Sequence, residues 1–191
     1  MVQDAESIEA FGFVGETTAG PASFVAAAAG LSGVRFAARV IGNHVAFVAV
    51  TADGLASLQD AMLPAVHEAG GREVRWSVAR GEERAKLGRP PKTFVAPTGA
   101  LVRIRTIDPL TALAALDERL GWLNEHNLEE EGFGMGAVRV FGGEVNLILD
   151  IGAPNLKALA EALTSLDDLP SARAVDVSLA CFEGNAQSTG D

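Results

Sequence analysis

Cysteine is almost absent. Cys181 is the only one, which excludes an intrachain disulfide and a cysteine-based zinc site. Long apolar runs are missing too: the run at residues 24–29 is as long as any, far short of the ~20 residues that carry a helix across a bilayer. Basic residues are scarce. Lys and Arg number 15 against 25 Asp and Glu, a net charge of −10, which argues against general binding to nucleic acid or anionic lipid. Residues 1–6 are acidic and lack the basic, apolar and cleavage regions of a signal peptide, so a cytoplasmic location is expected. No strong catalytic motif stands out, and neither a cofactor nor a metal is expected.

What remains is the composition of an ordinary folded protein, 48 % apolar and 21 % charged. Residues 81–92 break the acidic background. They are rich in Arg, Lys, Gly and Pro, and Pro90-Pro91 stops both helix and central strand. This divides the chain into a unit at 1–80, a basic linker at 81–92, a second unit at 93–183 and a polar, disordered tail at 184–191. The two units match each other. Ala38-Arg39-Val40-Ile41-Gly42-Asn43-His44-Val45 aligns with Val138-Arg139-Val140-Phe141-Gly142-Gly143-Glu144-Val145. After a one-residue gap, Leu55, Leu58, Ala61 and Met62 align with Leu156, Leu159, Ala162 and Leu163.

Hydrophobic periodicity gives each unit the order β-α-β-β-α-β. Strands are expected at residues 8–14, 34–41, 45–50 and 74–78, then at 101–107, 135–141, 145–151 and 173–180. Helices are expected from Pro21, which sits in a first turn, after the caps Asp53 and Asp108, and from Asn155, which opens the last one. The fold class is α+β: two tandem ferredoxin-like units. In the second unit Val102, Ile104, Val138, Val140, Val145, Leu147, Leu149, Ile151, Val175, Val177 and Leu179 form an apolar face for the helices. Arg103, Arg105, Arg139, Asn146, Asp150, Asp176 and Ser178 collect on the other face, with Arg105 placed to neighbour Asp176 and Asp150. In the first unit Glu9, Phe11, Phe13, Arg35, Arg39, Arg75 and Ser77 form a comparable face. Each sheet then has one bare side, and the two bare sides are expected to shield each other as an intramolecular pseudo-dimer. Arginines around that interior point to an anionic ligand. The plainer reading is a set of wet arginines neutralised by Glu9, Asp150 and Asp176.

The run Phe24-Val25-Ala26-Ala27-Ala28-Ala29-Gly30-Leu31-Ser32-Gly33-Val34, followed by Ala38-Arg39-Val40-Ile41-Gly42 and an apolar strand, resembles the effector-binding domain of Lrp/AsnC-type regulators, within the dimeric α/β-barrel group. The resemblance spans residues 21–80 and, more weakly, 101–181. It implies sheet-paired subunits that bind small molecules such as amino acids. A helix-turn-helix is missing, and Val45 and Asn146 stand where that family commonly places an acid. Ile107-Asp108-Pro109-Leu110 also resembles the first turn of ACT domains.

The remaining candidates are each weighed against a plainer role. His44 in the first hairpin is a candidate ligand or catalytic group, against a solvent-exposed turn residue. His67 and His126 read as helix C-terminal charges, Cys181 as an inert thiol, and Glu125 with Glu129–Glu131 as a solvated helix end. Residues 132–136 resemble a glycine-rich phosphate loop but precede a strand. Residues 86–92 resemble a single weak AT-hook within a linker. The leading expectation is a non-enzymatic binding or regulatory module for a small anion, with Arg39, Arg139, Arg105, Asn146 and His44 as ligand-binding residues. Its partner is a small molecule or another protein, with homo-oligomers allowed. The alternatives are a small α/β-barrel enzyme, monooxygenase- or isomerase-like and tested at His44, His67 or Arg139, and a protein-interaction scaffold.

Overall fold

The computed structural model describes residues 7–80, 84–87, 98–126, 134–141, 144–167, 169 and 172–181. The expected tail, Glu129–Glu131 and most of the AT-hook-like stretch lie outside them. In chain order the elements are β1 (Ile8–Thr17), α1 (Pro21–Ala29), β2 (Val34–Ile41), β3 (Ala46–Ala52), α2 (Leu55–Ser57), a π-helical turn (Leu58–Met62), α3 (Leu63–Glu68) and β4 (Gly71–Arg80). They continue with β5 (Arg84–Leu87), β6 (Thr98–Thr106), α4 (Pro109–His126), β7 (Gly134–Arg139), β8 (Leu147–Ala153), α5 (Leu156–Ser165) and β9 (Ala172–Cys181).

Local chemistry sets several boundaries. Asp108 caps α4: its Oδ1 accepts from Leu110 N at 3.0 Å and its Oδ2 from Thr111 Oγ1 at 2.7 Å. These bonds hold its carboxyl below the usual value, the Thr111 hydroxyl contributing most. Asn155 caps α5 by accepting from Ala158 N at 2.9 Å. Asp53 makes no such cap; Gly54, at φ 99°, occupies the N-cap of α2 without a side-chain bond. The π-helical turn lies just before Pro64, the second residue of α3. Proline cannot donate to the preceding turn, and a widened turn accommodates that loss.

The strands form one nine-stranded sheet in the order β4-β1-β3-β2-β9-β6-β8-β7-β5. The first half, β4-β1-β3-β2, and the second, β9-β6-β8-β7, run through the same order. The expectation of two sheets meeting only through their faces needs correction. They are joined edge to edge, Arg39, Val40 and Ile41 pairing with Cys181, Ala180 and Leu179. The sheet also curls: Val78 of β4 and Phe141, just after β7, exchange backbone hydrogen bonds of 3.3 and 2.7 Å. Edge pairing satisfies backbone groups that two stacked sheets would leave open. Residues 84–87, expected within a linker, add β5 to the open edge of β7.

Three of the apolar clusters lie under helices. One joins Val102, Ile104, Leu147 and Leu149 to Leu116 and Leu159. The first half has two smaller clusters, around Leu58 and Met62 and around Phe24 and Val66. The fourth contains no helical residue. It joins Phe11, Phe13, Val40, Phe47 and Ala79 of the first half to Leu101, Val138, Val140, Val145 and Ile148 of the second. This is the inner face of the curled sheet. Burying each aromatic ring there contributes roughly 1.5–3 kcal/mol.

Several face assignments change, and Val145, expected under the helices, joins the inner face. A bulge between Val34 and Phe36 shifts the register of β2 against β3. It leaves Arg35 on the inner side bonded to Glu9 and turns Arg39 to the helix side, opposite Ala46, which packs under helices. On β7 the inner residues are Val138 and Val140, while Met135 and Ala137 face the helices. Arg139 therefore also lies on the helix side, opposite Leu147. Alternation alone cannot locate a bulge or choose between two apolar faces.

Candidate functional site

Glu9 and Ser77 are buried on the inner face of the first half, and a larger polar cluster lies where the two halves meet. There His44, Arg103, Asp176 and Ser178 are buried beside Phe13. Three parts of the fold bring them together. Gly42 begins the turn after β2 at φ 152°, and a Cβ there would lie 2.8 Å from the carbonyl oxygen of Val177. A side chain at position 42 would hold the hairpin away from β9. With glycine, the hairpin closes onto β9. Asn43 Nδ2 donates to Asp176 Oδ1 at 2.9 Å, and His44 Nδ1 lies 2.8 Å from Asp176 Oδ2. That second contact is short but poorly aligned, so it acts as an electrostatic pair more than as a directed hydrogen bond. Ser178 Oγ sits 3.5 Å from the same oxygen.

β6 supplies the third part. Arg103 lies directly opposite Asp176, just before a bulge between Arg103 and Ile104. Its guanidinium stands 5.1 Å from the centroid of the Phe13 ring, which faces His44 at 5.3 Å and Phe47 at 5.0 Å. Arg103 is 4 % exposed, and its Nε has no hydrogen-bond partner. The expected neighbour of Asp176 is thus Arg103 and not Arg105, which is exposed and faces Arg173.

The electrostatics follow from burial. Desolvation pushes the His44 imidazole below its ordinary value, more than Asp176 pulls it up, and Arg103 and Arg75 push it further down. Its neutral form is therefore favoured. Burial also lowers Arg103 from its ordinary value, against the attraction of Asp176, yet a guanidinium stays charged at physiological pH.

His44 is therefore no solvent-exposed turn residue, since its side chain is 5 % exposed. Arg39 lines a cavity of about 430 Å³ together with Gly20, Pro21, Ser23, Ile41 and Val45. Arg139 holds its guanidinium 5.9 Å from the Phe141 ring. Asn146 anchors β6: its amide donates to Thr106 O at 2.7 Å and accepts from Thr106 N at 2.9 Å. His67 is exposed at the end of α3. Of the five expected binding residues, only His44 joins the buried cluster. Asp176 and Arg103 were legible as members of a polar face, but nothing in their spacing marked them as facing one another or His44. Among the described residues, no group of three or more His, Cys, Asp or Glu is placed to hold a metal ion, and no helix is long and apolar enough to cross a membrane.

No family model and no curated protein matches the chain. Solved structures do. A mutant chlorite dismutase from Candidatus Nitrospira defluvii, in complex with cyanide, is 11 % identical with TM-score 0.55, over 95 % of this chain and 93 % of that one. A candidate chlorite dismutase is 9 % identical with TM-score 0.59, over 93 % and 95 %. An anthrone oxidase-like protein is 9 % identical with TM-score 0.52, over 93 % and 92 %. The chain thus has an α+β fold built on an antiparallel sheet, and its structural neighbours are ferredoxin-like dimeric α/β-barrel proteins. Nothing specific to Lrp/AsnC regulators is among them. The non-enzymatic, regulatory expectation is corrected on this point: neighbours bearing the names of enzymes favour the small-enzyme alternative.

Proposed function

We propose that this chain is a small enzyme of the dimeric α/β-barrel kind, acting in the cytoplasm, in which His44 takes a proton from a small organic substrate. In this reading residues 1–80 and 93–183 are two ferredoxin-like units joined in one curled sheet around a shared interior, and residues 81–92, which include β5, connect them. The observation that carries the reading is the buried contact between His44 and Asp176. A general base must be neutral before it acts and stabilised once it is charged. Burial favours the neutral imidazole. Asp176 lies on the Nδ1 side, which leaves Nε2 to accept the proton, and the resulting imidazolium faces a carboxylate. Asn43 and Ser178 steady that carboxylate.

Anthrone is a suitable probe because it is a weak carbon acid and gives its name to one structural neighbour. The experiment follows deuterium exchange at the anthrone methylene in D2O by NMR, with oxygen uptake recorded in parallel. Exchange above the buffer rate is expected, falling about a hundredfold or more in His44→Gln. Exchange at the buffer rate, or an unchanged rate in the variant, refutes the assignment.

A further inference from the structure

Resting on that reading, we propose that Arg103 holds the oxyanion formed when His44 deprotonates the substrate, so that the substrate class is a flat, conjugated carbonyl or hydroxyaromatic compound. The argument starts from an imbalance in the cluster. A buried guanidinium is ordinarily tied to a carboxylate by a bidentate pair. Here Asp176 lies opposite Arg103 in register, but its oxygens are engaged by Asn43 Nδ2 at 2.9 Å, His44 Nδ1 at 2.8 Å and Ser178 Oγ at 3.5 Å. Arg103 Nε is left buried and without a partner. An unsatisfied buried donor is costly, and a ligand oxygen relieves that cost.

Charge balance points the same way. At rest the cluster holds one buried cation, Arg103, and one buried anion, Asp176, around a neutral His44, and the exposed Arg75–Glu144 pair at its edge adds no net charge. In the proton transfer a substrate C–H or O–H bond breaks, an N–H bond forms at His44 Nε2, and the released electron pair settles on the substrate oxygen. The new imidazolium faces Asp176 and the new oxyanion faces Arg103. Neither new charge is left alone in a low-dielectric site, where isolation is expensive. The rings packed beside Arg103 are aromatic: Phe13 lies 5.0 Å from Phe47, and Phe11 stacks with Phe47 at 6.2 Å. A substrate oxygen that reaches Arg103 therefore brings the rest of the molecule against aromatic rings, which favours a flat apolar framework over a small hydrated one.

The test uses p-nitrophenol, whose phenolate is read from its long-wavelength absorbance, with nitrobenzene as the uncharged comparison. The wild-type protein is expected to bind p-nitrophenol as phenolate and to prefer it to nitrobenzene. Arg103→Met should weaken phenolate binding at least about tenfold and leave nitrobenzene unaffected. Arg103→Lys, which keeps the charge without the fork, should fall between. Equal binding of the two probes by the wild type overturns the inference. So does unchanged phenolate binding in Arg103→Lys, which is decisive even if Arg103→Met fails to fold. The outcomes separate the two readings. Anthrone exchange that depends on His44, with phenolate binding indifferent to Arg103, removes only the oxyanion role. Phenolate binding that depends on Arg103 without exchange removes only the base.

Discussion

Each half of the chain sends its central hairpin toward the last strand of the other half, and the two contacts differ in kind. In one, His44 meets Asp176 with side chains only 5 % and 4 % exposed. In the other, Glu144, at the aligned hairpin position, meets Arg75 at 3.8 Å with side chains 65 % and 63 % exposed. Asp176 lies opposite Arg103 on β6, and Arg75 lies opposite Phe13 on β1. The same backbone plan therefore produces one dry polar cluster and one wet ion pair. Water decides which of them carries energy. Exposed pairs are screened, whereas a buried carboxylate and guanidinium must each answer the other's charge.

The largest test of that contrast is Asp176→Ala. Removing the carboxylate leaves Arg103 buried without its counter-charge, and the expected loss is about 3–5 kcal/mol in urea unfolding. A loss below about 1 kcal/mol would place the two contacts on the same footing. Next comes a double-mutant cycle. His44→Gln with Asp176→Asn should give a coupling of about 1–3 kcal/mol, while Arg75→Gln with Glu144→Gln should give about 0–0.5 kcal/mol.

Titration sharpens the comparison further. The His44 value is lower folded than unfolded, so the native state binds fewer protons. Stability from this group is fully present above the ordinary imidazole value and is lost as pH falls through the lowered native value. The slope in that window should approach, at most, about 1.4 kcal/mol per pH unit and should flatten in His44→Gln. An unchanged slope would show that the ring titrates as if exposed. In the exchange assay, the acid limb set by His44 should move down in Asp176→Asn and up in Arg103→Gln, because the carboxylate raises that value and the guanidinium lowers it. The smallest effect is expected for Glu144→Ala alone, within about 0.5 kcal/mol.

Much of the fold was readable along the chain. The strand and helix order follows from hydrophobic periodicity, Asp108 and Asn155 cap as their positions suggest, and Gly42 permits the turn that brings His44 inward. The site was less readable. Arg39 and Arg139 were placed on the inner face, yet a bulge in β2 and the buried outer side of β7 turn both toward the helices. His44 looked like a turn residue because hairpin tips are usually wet, and its burial comes from a strand far away in sequence.

Composition, periodicity and turn residues determined the α+β class, the element order and the likeness of the two halves, because these depend on contacts between near neighbours. The pairing of β2 with β9, the bulges that set side-chain direction and the meeting of His44, Arg103 and Asp176 were decided only in three dimensions. The physical reason is that a one-residue shift in strand register reverses every side chain on the strand. Such a shift leaves almost no trace in the pattern of a single chain.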